Sequence, residues 1–263
     1  MDTSAIPTSH LPNLRDVGGW PTTDGATLRR GTLYRSAALS DPGVATDPTV
    51  ESLGLAEVVD MRTAAEAAAR PDHVPAGARV TSVDILRDTP GSAADLPSML
   101  ARGAADPGAL LATLDARAVM ERTYRQFVSV PTARSGFAKV ARRVLHADGR
   151  PVLVHCTAGK DRTGWAVAIL MTAAGATPDS VEQEYISVRP AVGALFADLL
   201  AQAEEVGLDA ERLRPLLDVE PGFLRAGMNQ VEQDFGDFDT YLREGLGLED
   251  SEVTALRAAL VGR

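Results

Sequence analysis

The stretch from Pro151 to Trp165, with the sequence PVLVHCTAGKDRTGW, constrains the fold of this chain more than any other. Its first four residues are mostly apolar and predict a short buried strand. An alanine-rich apolar run begins at Trp165 and predicts a helix. A tight loop must therefore join the end of a buried strand to the start of a helix. That loop carries a cysteine and an arginine with five residues between them, Cys156 and Arg162.

A loop of this kind can hold an anion. Backbone N–H groups of a curled loop point inward, and the start of the following helix adds unpaired N–H groups and the positive end of its dipole. A cysteine in such a field readily forms the nucleophilic thiolate. Arg162 can bind two phosphate oxygens at once through its planar guanidinium. We therefore expect Cys156 to attack a bound phosphate and to form a phosphocysteine.

The other loop residues take their expected roles from their positions. Backbone N–H groups would hold the phosphate, so we predict substrate binding by Thr157, Ala158, Gly159, Lys160, Asp161 and Arg162. The Thr163 hydroxyl is expected to stabilise the departing thiolate, and His155 to order the loop by hydrogen bonds. The alternative, that Cys156 is only a small buried residue at a strand end, leaves the surrounding His, Gly and Arg unexplained.

The string HCTAGKDRTG, residues 155–164, resembles the signature of the cysteine-dependent protein tyrosine phosphatase superfamily, and more narrowly that of the PtpB-like bacterial tyrosine phosphatases. Three other stretches are similar to that group: NLRDVGG with LYRS within 13–36, VVDMRT at 58–63, and YLRE at 241–244. The resemblance spans nearly the whole chain. It implies a tyrosine-phosphatase-like fold, activity on phosphotyrosine proteins, and no cofactor.

The leaving oxygen needs a proton, for which a carboxyl group is a common donor. The resemblance favours Asp161, inside the loop, as this general acid. Asp60 is the second choice, because it ends a predicted strand and the carboxyl ends of parallel strands face the same crevice. Asp84 and Asp88, near the end of the next predicted strand, stay open as alternatives.

Lys160 adds a positive charge beyond what one phosphate monoester requires. The resemblance at this position extends to phosphoinositide phosphatases, so phosphoinositides join phosphotyrosine and phosphoserine/threonine proteins as expected substrates. Two alternatives stay open: an inositol-polyphosphate phosphatase, which predicts a wide basic pocket, and a non-catalytic phosphate-binding module. An arsenate reductase could also use a curled cysteine loop. Such a reductase generally needs further thiols, and the single cysteine of this chain argues against it.

The segments before and after the loop predict an α/β fold. Two β-rich runs, 56–61 and 79–85, flank a helix that opens with a capping box of Thr63 and Glu66, and this spacing predicts a parallel pair. We expect one domain over 1–263, with a central, mostly parallel sheet flanked by helices and a helical C-terminal half. Residues 88–118 form a polar insertion; the resemblance implies a helical lid there, and a flexible surface insertion is the alternative.

Bulk properties exclude several classes of partner. The formal net charge of −10 argues against nucleic-acid binding and against adsorption to anionic membranes. The mean hydropathy of −0.04 and the lack of a long apolar run predict no stable membrane insertion.

No partner spacing around His155 suggests a metal site. With no visible secretory signal and a lone cysteine, we expect a cytoplasmic bacterial protein; export without a recognisable signal is the alternative. The oligomeric state is not predicted.

Overall fold

The computed structural model describes residues 4–89, 115–205 and 209–262. The strands of these residues are, in chain order, β1 (Arg15–Asp16), β2 (Thr27–Leu28), β3 (Leu33–Ser36), β4 (Glu57–Asp60), β5 (Arg79–Ser82), β6 (Val152–His155) and β7 (Val261–Gly262). Five of them form one sheet in the order β1–β3–β6–β4–β5. Only the β1–β3 pair in this sheet is antiparallel. The predicted α/β fold with a mostly parallel sheet is thus confirmed.

Strand β6 lies at the centre of the sheet, and all four of its residues are buried. It pairs in parallel with β3 on one side and β4 on the other, so that Ser36 and Asp60 both lie opposite His155. The carboxyl ends of three strands are therefore level with one another. Because Cys156 follows directly after β6, it lies at the edge of the sheet where ligands bind in folds of this kind.

Side chains of the central strands alternate between two hydrophobic clusters, as the period of a strand requires. Val152 and Val154 belong to the larger cluster, which also contains residues of the helices after Asp115. Leu153 and Val58 belong to a smaller cluster, formed with the N-terminal segment and the short helix α1 (Pro48–Ser52). Both faces of the sheet are therefore covered.

The remaining helices are α2 (Ala64–Ala69), α3 (Ala116–Ser129), α4 (Pro131–His146), α5 (Asp161–Ala173), α6 (Pro178–Ser187), α7 (Arg189–Glu205), α8 (Ala210–Leu217), α9 (Pro221–Phe235), α10 (Phe238–Thr240) and α11 (Asp250–Leu260). Most of them contribute residues to the larger cluster, whereas α2 has no buried residue. A 3₁₀ helix also spans Pro42–Thr46. Helix α5, which begins inside the loop of interest, is buried along almost its whole length. This position fixes the loop between the central strand and a core helix.

Two features of the C-terminal half differ from the sequence-based expectation. Within the C-terminal half, which was expected to be helical, α10 is followed directly by a π-helical turn at Tyr241–Gly245. In addition, β7 pairs with β2 near the start of the chain. A two-residue strand has too few residues to show a period of two, so the sequence carries no signal for this pairing.

One helical stretch, Pro178–Glu205, is long and apolar enough to cross a membrane when judged by length and composition alone, and 11% of its most apolar window is buried. Its side chains Leu195 and Leu199 are exposed. A single stretch of this kind is weak support for a membrane span, and the expectation of no stable insertion stays a prediction.

The predicted insertion at 88–118 lies largely outside the described residues. Residues 116–118 belong to the first turn of α3. The lid therefore stays a prediction. The single domain over 1–263 also stays a prediction.

Candidate active site

The loop after β6 is held against β3 at a distance that only glycine permits. Gly159 has φ +66°, and a Cβ built on it would lie 2.1 Å from the carbonyl oxygen of Ser36. Both the left-handed backbone and the close approach exclude a side chain at this position. The carbonyl of Thr157 also accepts a hydrogen bond from the N–H of Ala38 at 3.1 Å. The loop is therefore curled directly over the carboxyl end of β3.

Side chains from outside the loop bind its carbonyl groups. The Asn13 Nδ2 group donates to the carbonyls of Ala158 and Gly159, at 3.2 Å in each case. The Arg35 guanidinium donates to Gly159 O at 2.7 Å and to both Glu184 oxygens at 2.9 and 2.7 Å. Arg35 is thus part of a buried ion pair, and Asn13 borders the loop.

The N–H groups of the same loop are left available. No acceptor within the described parts of the chain takes a hydrogen bond from the backbone N–H groups of residues 157–162. With the carbonyls bound from outside and the α5 N-terminus at Asp161, these N–H groups are available to bind an anion.

Arg162 is buried and its guanidinium is held by Glu66. The NH1 and NH2 groups donate to the two Glu66 oxygens at 2.7 and 2.8 Å, and NH1 also donates to Met61 O at 3.2 Å. Its Nε–H group bonds to no residue that the structure describes. The side chain is thus fixed in place while a donor stays free for a ligand.

Glu66 is the functional residue that sequence reasoning missed. It completes the predicted capping box of α2, since the Thr63 N–H donates to its Oε2 at 2.8 Å. The same carboxylate binds Arg162 and accepts from the Thr157 hydroxyl at 2.6 Å. Although burial favours the neutral form, the Arg162 guanidinium and these hydrogen bonds lower the pKa of Glu66 from 4.5 to about 2. The sequence signal for Glu66 was the capping box. Its second role, which is to bind Arg162, depends on a contact between residues distant in sequence.

Cys156 lies at the base of the loop and is 3% exposed. Burial opposes the charge of Arg162, but the hydrogen bonds to Glu66 and the negative charge of the Cys156 thiolate raise the pKa of Arg162 further above its ordinary value. The buried Thr163 hydroxyl has no hydrogen-bond partner among the described residues. Cys156, Arg162 and Thr163 thus all lie in the loop or at the start of α5, and their catalytic roles stay predictions.

His155 and Asp60 belong to a buried polar cluster behind the loop. His155 Nδ1 lies 3.2 Å from Cys156 O, and its Nε2 lies 3.2 Å from Asp72 without hydrogen-bond geometry. The Arg62 guanidinium pairs with Asp60 at 2.9 Å and with Asp72 at 2.7 Å. This geometry agrees with loop ordering by His155. It also ties Asp60 to Arg62 in a structural ion pair.

The same three groups, Asp60, Asp72 and His155, are close enough together to hold a metal ion. However, the Arg62 guanidinium already lies against both carboxylates and neutralises them. A metal ion would have to displace this buried cation. The donor set is therefore better explained as an arginine–carboxylate network than as a metal site.

Asp161 is the first residue of α5, and each of its carboxylate oxygens faces a different group. The Tyr124 hydroxyl donates to Oδ1 at 3.1 Å, and Lys160 Nζ lies 3.4 Å from Oδ2. The Asp161 side chain is 22% exposed, so it remains partly accessible. By contrast, Asp84 accepts hydrogen bonds from the N–H groups of Ala64 and Leu86.

Asp88, the last alternative acid, is exposed and pairs with its neighbour Arg87. Of the four candidates, Asp161 is the one that belongs to the loop itself.

Lys160 has an unexpected environment. Its side chain is buried, and Nζ donates to Leu216 O at 2.7 Å and to Asp218 O at 3.0 Å, at the C-terminal end of α8. A cation there is also favoured by the helix dipole. The predicted binding of a substrate phosphate by this ammonium would require the loss of these bonds.

We predict that Glu66→Gln destabilises the protein in a pH-dependent way. Because the pKa of Glu66 is depressed, its ionised form stabilises the fold above about pH 4.5, and this contribution is lost as the pH falls toward about 2. The variant should lose on the order of 2 kcal/mol of unfolding free energy at neutral pH. Urea unfolding at neutral pH and at roughly pH 3 should show the difference shrinking.

The matched control is Glu51→Gln, at an exposed position of α1. This change should leave stability almost unaltered at both pH values. Equal losses for Glu66→Gln at the two pH values would contradict the ion-pair account.

Comparison with known proteins shows the family of this chain. The chain is 32% identical, over 275 aligned positions, to the triple specificity protein phosphatase PtpB of Mycobacterium tuberculosis, covering 95% of this chain and 96% of that protein. It is 29% identical over 245 residues to a protein of Cupriavidus necator whose name places it among the tyrosine-protein phosphatases, covering 92% and 84% of the two chains. The family model for the tyrosine phosphatase family matches residues 6–262. The chain therefore belongs to the tyrosine phosphatase family.

Proposed function

We propose that this protein-tyrosine phosphatase works through a phosphocysteine formed on Cys156. The observation that carries the proposal is the loop itself: Cys156 at its base, backbone N–H groups of residues 157–162 without a described protein acceptor, and Arg162 fixed by Glu66. These groups are complementary to a phosphate whose charge is spread over three equatorial oxygens.

In the first step, the Cys156 sulfur attacks phosphorus with its electron pair while the bond from phosphorus to the leaving oxygen breaks. A protonated Asp161 carboxyl gives its proton to that oxygen, so that a neutral alcohol or phenol departs. The loop N–H groups and Arg162 stabilise the negative charge of the equatorial oxygens. The products are the phosphocysteine and the Asp161 carboxylate.

In the second step, water attacks the phosphocysteine. The Asp161 carboxylate takes a proton from the water, the phosphorus–sulfur bond breaks, and the electron pair returns to Cys156 as thiolate. The Thr163 hydroxyl, which lacks a partner among the described residues, can donate to this sulfur. Inorganic phosphate leaves, and the enzyme returns to its starting protonation state.

The choice of Asp161 as general acid is supported by position and accessibility. Asp60 is buried and bound on both oxygens by Arg62, at 2.9 Å in each case. With both oxygens engaged in this way, the Asp60 carboxylate is not free to approach a leaving group. Asp161, by contrast, starts the helix that closes the loop and is partly exposed.

For substrates, we propose phosphotyrosine proteins first, with phosphoserine/threonine proteins and phosphoinositides as further substrates. The relative from Mycobacterium tuberculosis is named for triple specificity, which supports a broad range here. An inositol-polyphosphate phosphatase is less well supported, because it needs several free cations and Lys160 is bound to carbonyl oxygens of the protein. A non-catalytic phosphate-binding module would have no need of Cys156 beside Arg162.

We predict that Cys156→Ser abolishes turnover of p-nitrophenyl phosphate. The serine hydroxyl is a far weaker nucleophile than a thiolate, so the rate should fall by more than about 10³-fold. The wild-type protein should be fully active in excess EDTA. Substantial activity of the variant, or loss of wild-type activity with EDTA, would contradict the phosphocysteine mechanism.

Asp161→Asn should separate substrates by leaving group. Phenyl phosphate, whose leaving group needs a proton, should lose roughly 10²-fold or more in kcat/KM. p-Nitrophenyl phosphate should lose much less, because its phenolate leaves without help. The matched control is Asp84→Asn, which changes a carboxylate that binds backbone N–H groups. Equal losses on both substrates would count against Asp161 as the acid.

Substrate range is tested by phosphate release from phosphotyrosine and phosphoserine peptides and from a panel of phosphoinositides. If Lys160 leaves its carbonyl partners to bind a second phosphate, Lys160→Met should reduce turnover of multiply phosphorylated lipids more than turnover of phosphotyrosine peptides. No release from any lipid by the wild type, beside good phosphotyrosine turnover, would remove phosphoinositides from the proposal.

A further inference from the structure

Two buried tyrosines connect the proposed general acid to the protein core. The Tyr124 hydroxyl, on α3, donates to Asp161 Oδ1 at 3.1 Å. The Tyr185 hydroxyl, on α6, lies 2.7 Å from the Tyr124 hydroxyl. Three helices that are separate in sequence therefore meet at one chain of hydrogen bonds, and this chain ends on the carboxyl group of Asp161.

The surrounding aromatic rings fix the hydroxyl groups of both tyrosines in place. Tyr124 and Tyr185 are 0% and 1% exposed, and their rings meet edge to face with centroids 6.0 Å apart. Tyr124 also contacts Phe127, Trp165 and Phe223. A side chain packed on all sides has few alternative rotamers, so its hydroxyl can act as a fixed point for the more exposed carboxyl of Asp161.

Gly164, in the same signature string, makes room for this arrangement. A Cβ at position 164 would lie 3.0 Å from two ring atoms of Tyr185. The absence of a side chain thus lets the Tyr185 ring approach α5 and reach Tyr124.

Both hydroxyls keep their protons under working conditions. Burial, followed by the negative charge of Asp161, raises the pKa of Tyr124 and of Tyr185 well above the ordinary value for tyrosine. Neither residue is therefore suited to deliver a proton to a substrate. What Tyr124 can supply is a hydrogen bond in a constant direction.

We propose that Tyr124 is a positioning residue for the general acid: its hydroxyl fixes the Asp161 carboxyl in the orientation that protonates the leaving oxygen, and Tyr185 fixes Tyr124. This inference rests on the proposed role of Asp161. As the phosphorus–oxygen bond breaks, the carboxyl proton passes to the leaving oxygen. The Tyr124 O–H then donates to the carboxylate that remains and keeps its own proton throughout.

The test compares Tyr124→Phe with the wild type on a series of aryl phosphates that differ in leaving-group acidity. Loss of the hydroxyl should reduce kcat/KM for phenyl phosphate roughly 10-fold, a part of the full effect of a general acid, and should leave p-nitrophenyl phosphate within about 2-fold. Combining Tyr124→Phe with Asp161→Asn should add no further loss on phenyl phosphate beyond that of Asp161→Asn alone.

Phe223→Leu is the matched control, since Phe223 packs on the Tyr124 ring without touching the hydroxyl chain. It should affect all substrates alike. Tyr185→Phe removes the hydroxyl that contacts Tyr124 and leaves the Tyr124–Asp161 hydrogen bond in place. It should give a smaller loss of kcat/KM with the same leaving-group selectivity. This variant serves as the second probe if Tyr124→Phe does not fold.

The outcomes separate the two proposals. If Asp161→Asn is selective for poor leaving groups while both tyrosine variants lower all substrates equally, the positioning role is overturned and the acid assignment stands. If Asp161→Asn shows no such selectivity, the acid assignment fails and the positioning role fails with it.

Discussion

The geometry of the active site depends on how the loop after β6 is held from outside. Arg35 is fully buried, forms a bidentate pair with Glu184, and donates to the carbonyl of Gly159. Removing one partner of a buried pair leaves an uncompensated charge and typically destabilises by about 3–5 kcal/mol. With the carbonyls bound by Arg35 and Asn13, the loop N–H groups remain available for a phosphate. In the same way, the bidentate pair with Glu66 holds the Arg162 guanidinium in place.

The site thus combines an anion-binding loop with a set of charges that are already paired. Arg162 is held by Glu66, and Lys160 is bound to the end of α8. Preorganised groups of this kind need little rearrangement when charge develops in the transition state. Asp161 is partly exposed; the Tyr124 hydroxyl donates to one of its oxygens, and Lys160 Nζ lies 3.4 Å from the other. Its place inside the loop and its exposure are why we assign the mobile proton to Asp161.

Much of the frame could be predicted from the sequence, because its signals are local. The apolar run before Cys156, Gly159 in the loop, and the capping box of Thr63 and Glu66 all act within a few residues. The structure confirms the strand and the capping box, and it shows Gly159 in the left-handed region of a tight loop.

The partners of the charged groups could not be predicted in the same way. Glu66 is 96 residues from Arg162, and Tyr124 is 37 residues from Asp161. Lys160 binds backbone carbonyls of α8, an acceptor that carries no residue-specific signal. Such contacts are set by how helices pack on the sheet, and a single sequence does not encode that packing as a period or a motif.

The most direct test of the account is to find the phosphoryl group during turnover. The wild-type protein should be mixed rapidly with an aryl phosphate, quenched within one turnover, digested and examined by mass spectrometry. We predict a phosphoryl group on Cys156, in the peptide that carries residues 151–165. Turnover with no covalent phosphate on Cys156, or with phosphate on another side chain, would contradict the central claim.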